Sequence, residues 1–149
     1  MAKRKPPKPN GEKPPPRCKA ILLCNDTIIE AGTGNVSLIG TFDGFVQRAF
    51  PSHTKPFTVF VQLTDGIGRY EVVIEVQDLR DNIVNARANA GLEFPERLTK
   101  VNMMIPVPPL PLQHAGVYDF VVLANGQEID RQQFRAVSLE DLRNASGNT

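Results

Sequence analysis

Tryptophan is absent from this chain, cysteine occurs only twice, and aromatic residues make up 7% of it. Two thiols cannot build the dense disulfide framework of a small secreted scaffold. Cys18 and Cys24 are six positions apart, so in one extended strand their α-carbons lie about 20 Å apart, beyond disulfide reach. Reduced thiols and a cytoplasmic location are the expectation. No apolar run approaches 18 residues, so there is no candidate for a membrane-spanning helix, and no membrane contact is expected. The opening MAKRKPPKP carries no apolar h-region and is too rich in proline for an amphipathic targeting helix.

Excess charge is also missing, since the net value is +1, but the balance conceals an asymmetry. Lys3, Arg4, Lys5, Lys8, Lys13, Arg17 and Lys19 face a single acid, Glu12, in residues 1–19, whereas the remaining 130 residues hold ten bases and fifteen acids. Six of the thirteen prolines fall within residues 1–17, where little apolar surface offsets the entropy of ordering a chain. Residues 1–17 therefore read as a disordered basic tail with local polyproline II character. Its six bases and Lys19 beyond them are candidate contacts to nucleic acid or another polyanion, with a strong salt dependence. It has no aromatic residue for stacking on bases, so a solubilising or spacer role competes with that reading. PPKP and PPPR within it superficially resemble ligands of proline-reading domains.

What is present from Cys18 onward is a series of short apolar runs separated by turn signals. The clearest lies in residues 116–137, where GVYDFVVLA and QEIDRQQFRAV flank Asn125-Gly126. Asn-Gly takes positive φ at both central positions of a type I′ turn, so this is a β-hairpin. A two-residue loop would pair Val122 with Ile129 and turn Phe134 away from Tyr118 and Phe120, so a bulge between Arg131 and Gln133 is predicted. Further strands are expected at residues 19–24, with 27–30 continuing or bending away, then at 36–42, 45–50, 57–64, 69–77 and 83–90. Val101, Met103 and Ile105 mark another that ends at Pro106. Residues 83–90 have a thin apolar face suited to a sheet edge. Asp43-Gly44 and Asp65-Gly66 read as hairpin turns, and Ser138 as the cap of a marginal helical turn.

Seven to nine strands without a long helix predict an all-β domain over residues 18–138, an antiparallel β-sandwich with immunoglobulin-like topology, followed by a short C-terminal tail over 139–149. Tyr118 fits a tyrosine corner, its phenol bonding back to nearby backbone. Position 120 is Phe where an antibody-type domain carries its second cysteine, and with no Trp present the antibody superfamily itself is not expected.

No catalytic, metal or phosphate motif stands out. His53, His114 and the two cysteines match no compact zinc spacing. Glu71 with Glu75 and Asp78 with Asp81 offer carboxylate pairs, but the first pair lies on the polar face of a strand. The AGTGN stretch at residues 31–35 lacks the lysine and following helix of a phosphate loop. Asp43, His53, Asp65 and His114 become candidates for a carbohydrate-binding or catalytic loop end only if the fold brings them together.

Three stretches carry a resemblance: AILLCNDTIIEAGTGNVSLIGTFDGF, RAFPSHTKPFTVFVQLTDGIGRYEV and PVPPLPLQHAGVYDFVVLANGQEI. Residues 20–137 resemble a family of small bacterial proteins known only as a domain of unknown function. Its pattern has a Gly-x-Phe-Asp opening followed by Phe-Pro, a strand ending in Leu-Thr-Asp-Gly, and a closing Pro-Gly-x-Tyr-x-Phe hairpin, where this chain has Ala115 in place of the proline. The resemblance implies a β-sandwich and no activity. The expectation for function is a non-enzymatic intracellular interaction or structural module without cofactor, with another protein as partner and nucleic acid through the tail as the alternative.

Overall fold

The structure, a computed structural model, describes residues 13–147. It is mostly β, with three sheets including a curled half-barrel. The strands in chain order are β1 (Arg17–Ile29), β2 (Val36–Phe42), β3 (Gly44–Gln47), β4 (Ser52–His53), β5 (Phe57–Thr64), β6 (Gly68–Asp78), β7 (Ile83–Phe94), β8 (Val101–Val107), β9 (Pro111–Leu112), β10 (Gly116–Ala124) and β11 (Gln127–Ser138). They are followed by helix α1 (Leu139–Gly147). One sheet runs β2-β1-β5-β8, a second β3-β11-β10-β6-β7, and β4 pairs with β9 alone.

Period-two patterning decides which faces meet. From the first sheet Ile21, Leu23, Phe57, Val59, Val61, Leu63 and Met103 enter one core with Tyr70, Val72, Ile74, Val76, Tyr118, Phe120, Val122 and Phe134 from the second. Leu110 and Leu112, on the proline-rich crossing to β10, are buried in the same cluster. Phe134 lies at its centre, with ring centroids 4.7 Å from Phe120, 5.3 Å from Tyr118 and 5.4 Å from Phe45.

The last hairpin forms as its residues require, with φ of 48° at Asn125 and 82° at Gly126. Its bulge sits three residues before the predicted place between Arg131 and Gln133. Leu123 pairs with Glu128 and Val122 with Asp130, leaving Ile129 as the extra residue, and from there the register brings Phe134 opposite Tyr118. The other two turn signals do not close hairpins. β2 and β3 lie in different sheets, as do β5 and β6, so Asp43-Gly44 and the Asp65-Gly66 turn carry the chain from one sheet to the other. The all-antiparallel expectation also fails once, because β3 runs parallel to β11. Gly44 permits that approach, since a Cβ there would stand 2.8 Å from the Arg135 carbonyl oxygen. β8 continues through Pro106 because it is a sheet edge, where a missing N–H costs no ladder bond. β7 is an edge, as its thin apolar face suggested, and runs on to Phe94.

Of residues 13–17, read from the sequence as tail, Lys13 and Pro14 lie on the start of β6 and Arg17 opens β1 opposite Thr64 of β5. Tyr70 donates its hydroxyl to the Pro14 carbonyl at 2.9 Å and accepts from the Ile67 N–H at 3.1 Å. Lys13 Nζ donates to the Arg69 carbonyl at 2.8 Å and stands 5.1 Å above the Tyr70 ring. The rest of the predicted tail, residues 1–12, lies outside the described residues. At the other end Ser138 caps α1 by accepting the Asp141 N–H at 3.0 Å. Residues 139–147 form that nine-residue helix where a single frayed turn was expected, and it packs against β11 and β3.

Phe94 meets Tyr70 edge to face at 5.6 Å and covers Gly66 so closely that a Cβ there would run into its ring. Gly66→Ala is therefore expected to cost about 1–3 kcal/mol through overpacking. A urea unfolding curve with its midpoint lowered and its slope unchanged would show this, and an unshifted midpoint would refute it.

Candidate functional site

β6 and β10 pair with Tyr118 opposite Asp78, which sets the end of β6 beside the loop before β10. There Asp78 is fully buried. Its Oδ1 accepts the backbone N–H groups of Arg80 (3.0 Å) and Asp81 (3.3 Å), while Oδ2 lies 2.7 Å from His114 Nε2. The other ring nitrogen, Nδ1, is 2.8 Å from the Ala115 carbonyl oxygen. Both neighbours are acceptors, so the ring satisfies both when each nitrogen carries a proton, and the site favours the imidazolium form. The Ala115 hydrogen bond first and the Asp78 hydrogen bond and charge next raise the His114 pKa above its ordinary value, against the opposing effect of burial.

The ring stacks on Tyr118 at 5.6 Å, and the Tyr118 hydroxyl donates to the His114 carbonyl at 2.6 Å. This is the back-bond expected of Tyr118. Asp81 Oδ2 approaches His114 Nε2 at 3.6 Å, and ligand atoms of Asp78, Asp81 and His114 all fall within 4.8 Å of one another. The three could hold a divalent cation only if it displaced the ring proton that Asp78 now accepts. The sequence reading paired Asp78 with Asp81 but did not bring His114 to them.

The other carboxylates have partners of their own. Glu75 receives Arg87 Nη2 at 2.6 Å across the strands, and Glu71 lies 3.7 Å from Arg69. Asp119, 5% exposed, takes Arg131 Nη1 at 2.7 Å, and Arg131 also holds Glu128. Cys18 and Cys24 are free thiols in the same strand, and burial pushes the Cys18 thiol up to about 12, away from reactive thiolate character.

Asp65 and His114 lie at opposite ends of β6, about 30 Å apart at 3.3 Å per residue. Asp43 and His53 contribute to two neighbouring recesses beside β3. The four loop-end candidates therefore do not form one site. Of the tail bases, Lys13 is bound to β6 as described, Arg17 lies 3.6 Å from Asp65, and Lys19 is on β1; Lys3, Arg4, Lys5 and Lys8 lie outside the described residues.

Two surface features remain. β5 pairs with β1 only as far as Cys24, so the distal part of the β1–β2 hairpin is a two-stranded arm. On it Ile28 is 53% exposed, Ile29 57% and Ile39 45%. Consecutive strand residues point to opposite faces, so Ile28 and Ile29 leave both faces of the arm apolar and uncovered. The second feature is a cleft of about 950 Å³ beside β2 and β3, lined by Asn25, Phe42, Phe45, Arg48, Ser52, His53, Lys55 and Phe57 among others.

A model described as a family of unknown function (DUF6941) matches residues 19–137. No curated protein matches the chain.

Proposed function

The chain belongs to that family of unknown function, a membership that assigns no activity, and we propose from its own residues that it is a non-enzymatic module holding a protein partner on the β1–β2 arm. The observation that carries this reading is the exposure of Ile28, Ile29 and Ile39 on a hairpin whose distal part pairs with no further strand among the described residues. Exposed apolar patches on soluble domains mark interaction sites, and the free edge of β1 beyond Cys24 offers backbone groups to an added strand. The unpaired thiols of Cys18 and Cys24 support an intracellular setting.

We read the architecture as an immunoglobulin-like sandwich. Supporting this are the parallel β3–β11 pair at one side of the five-stranded sheet, the adjacent β10–β11 and β6–β7 hairpins, and the Tyr118 back-bond. Tail-driven binding of nucleic acid is less favoured, because Lys13 and Arg17 already have partners on the body.

Tagged chain used as bait in a cell lysate is expected to retain a stoichiometric partner, or a second copy of itself. The double change Ile28→Lys and Ile29→Lys should reduce that recovery by about tenfold or more at unchanged melting temperature. Removal of residues 1–12 should leave it unaltered. Equal recovery by the arm variant, or loss on removing the tail, would refute the proposal.

A further inference from the structure

The cleft beside β2 and β3 has a charge pattern unlike the rest of the body. Arg48, His53 and Lys55 line it, and among the described residues no aspartate or glutamate does. Residues 20–149 as a whole carry ten bases against fifteen acids, so the Arg48 and Lys55 cations, gathered beside an imidazole without a counter-charge, stand against the average field. Asp43 and Glu140 line neighbouring recesses, and Arg48 borders the one that holds Glu140. Cationic clefts with low-dielectric walls concentrate anions from solution.

A second observation is independent of charge. Ser52 contributes to the lining of this cleft, and its Oγ, just beneath the surface, is the buried side-chain polar atom that finds no hydrogen-bond partner among the described residues. Such an orphan costs free energy unless a ligand or water satisfies it. Its backbone cannot swing away freely, because Ser52 pairs with Leu112, and Thr54 is tied to Leu110 in both directions, its N–H donating at 3.0 Å and its Oγ1 accepting at 3.0 Å. Across the cleft Asn25 offers an amide, and Gly40, at φ 66°, leaves room for it, since any Cβ there would overlap the Asn25 side chain.

The wall is aromatic. Phe42, Phe45 and Phe57 form a mutual triangle with centroids 5.1–5.8 Å apart, and Phe42 and Phe45 are only half-buried.

We propose that this cleft is a binding site for a small organic anion, a phosphate or carboxylate group joined to a flat apolar body. Arg48 and Lys55 hold the charge, the His53 ring, Ser52 hydroxyl and Asn25 amide supply hydrogen bonds to it, and Phe42 and Phe45 cover the apolar part. Arg48, His53 and Lys55 are exposed, so they can be replaced without opening the core.

The test is a titration of isotope-labelled full-length chain with phenyl phosphate, benzoate and the cation phenyltrimethylammonium, followed by amide chemical shifts. Phenyl phosphate or benzoate is expected to move the Gly40, Gly44, Arg48, Ser52 and His53 amides saturably. Lys55→Glu and Arg48→Glu should each weaken that binding about tenfold while leaving the spectrum otherwise dispersed as in the parent. Added salt should weaken it as well. No saturable shift with either anion, shifts confined to residues 1–12, equal shifts with the cation, or unchanged affinity in both charge-reversed variants would each overturn the assignment.

Discussion

Phe134→Ala is expected to lower the free energy of unfolding by about 3–5 kcal/mol, a large part of what a domain of this size possesses. Phe134 is 2% exposed and touches three other rings, one of which, Phe45, belongs to the strand that closes the far side of β11. Removing it leaves a void bounded by Phe45 on β3 and by Tyr118 and Phe120 on β10, and strands fixed on either side of β11 cannot all collapse into it. Denaturant unfolding measures the effect directly, and Phe134→Leu, which refills part of the volume, should recover some of the loss. A cost below about 1 kcal/mol for the alanine variant would mean that the ring is not packed as described.

The second large effect is at Asp78. Its carboxylate, wholly inaccessible, accepts two backbone N–H groups and the His114 ring. Asp78→Ala strands all three donors, one of them charged, and should cost about 3 kcal/mol or more. His114 gives the pH signature. Its folded pKa is raised above the ordinary 6.5, so the stability it contributes is fully present below about pH 6.5 and is lost as pH rises through the folded value. The melting temperature of the parent chain should therefore fall on going from pH 6 toward pH 9 by more than that of His114→Gln. Identical pH profiles for the two would refute the imidazolium assignment.

Individual strands were legible in the sequence because burial on one face writes a period of two into the residues, as at Phe57, Val59, Val61 and Leu63. Which sheet each strand joins was not legible. Asp43-Gly44 and Asp65-Gly66 report only that the chain turns locally, and a turn residue gives no information about whether the next strand pairs with the last or crosses the core. The displaced bulge has a similar origin: moving the extra residue from the Arg131 region to Ile129 leaves Phe134 on the same face, and facing was all that the pattern constrained.

The candidate clusters were hidden for a related reason. His114 and Asp78 are 36 positions apart and meet only through the register that sets Tyr118 opposite Asp78. Reading that contact from sequence would require first knowing that β6 and β10 are neighbours. Arg48, His53 and Lys55 lie close together in the chain, yet their meaning depends on the acids that the fold keeps elsewhere. The phenol of Tyr118 was predictable because its bond is local, to a carbonyl four residues back.

The parallel clasp of β3 on β11 bears on how the chain is made. Gly44 and Arg135 are partners across 91 positions, so a chain emerging from the ribosome holds β3, which carries Phe45, unmatched until β11 has been made. An early-made strand must then wait for a much later one before its sheet is complete. Chains truncated before β11 would expose an aromatic strand that newly made copies could capture from one another.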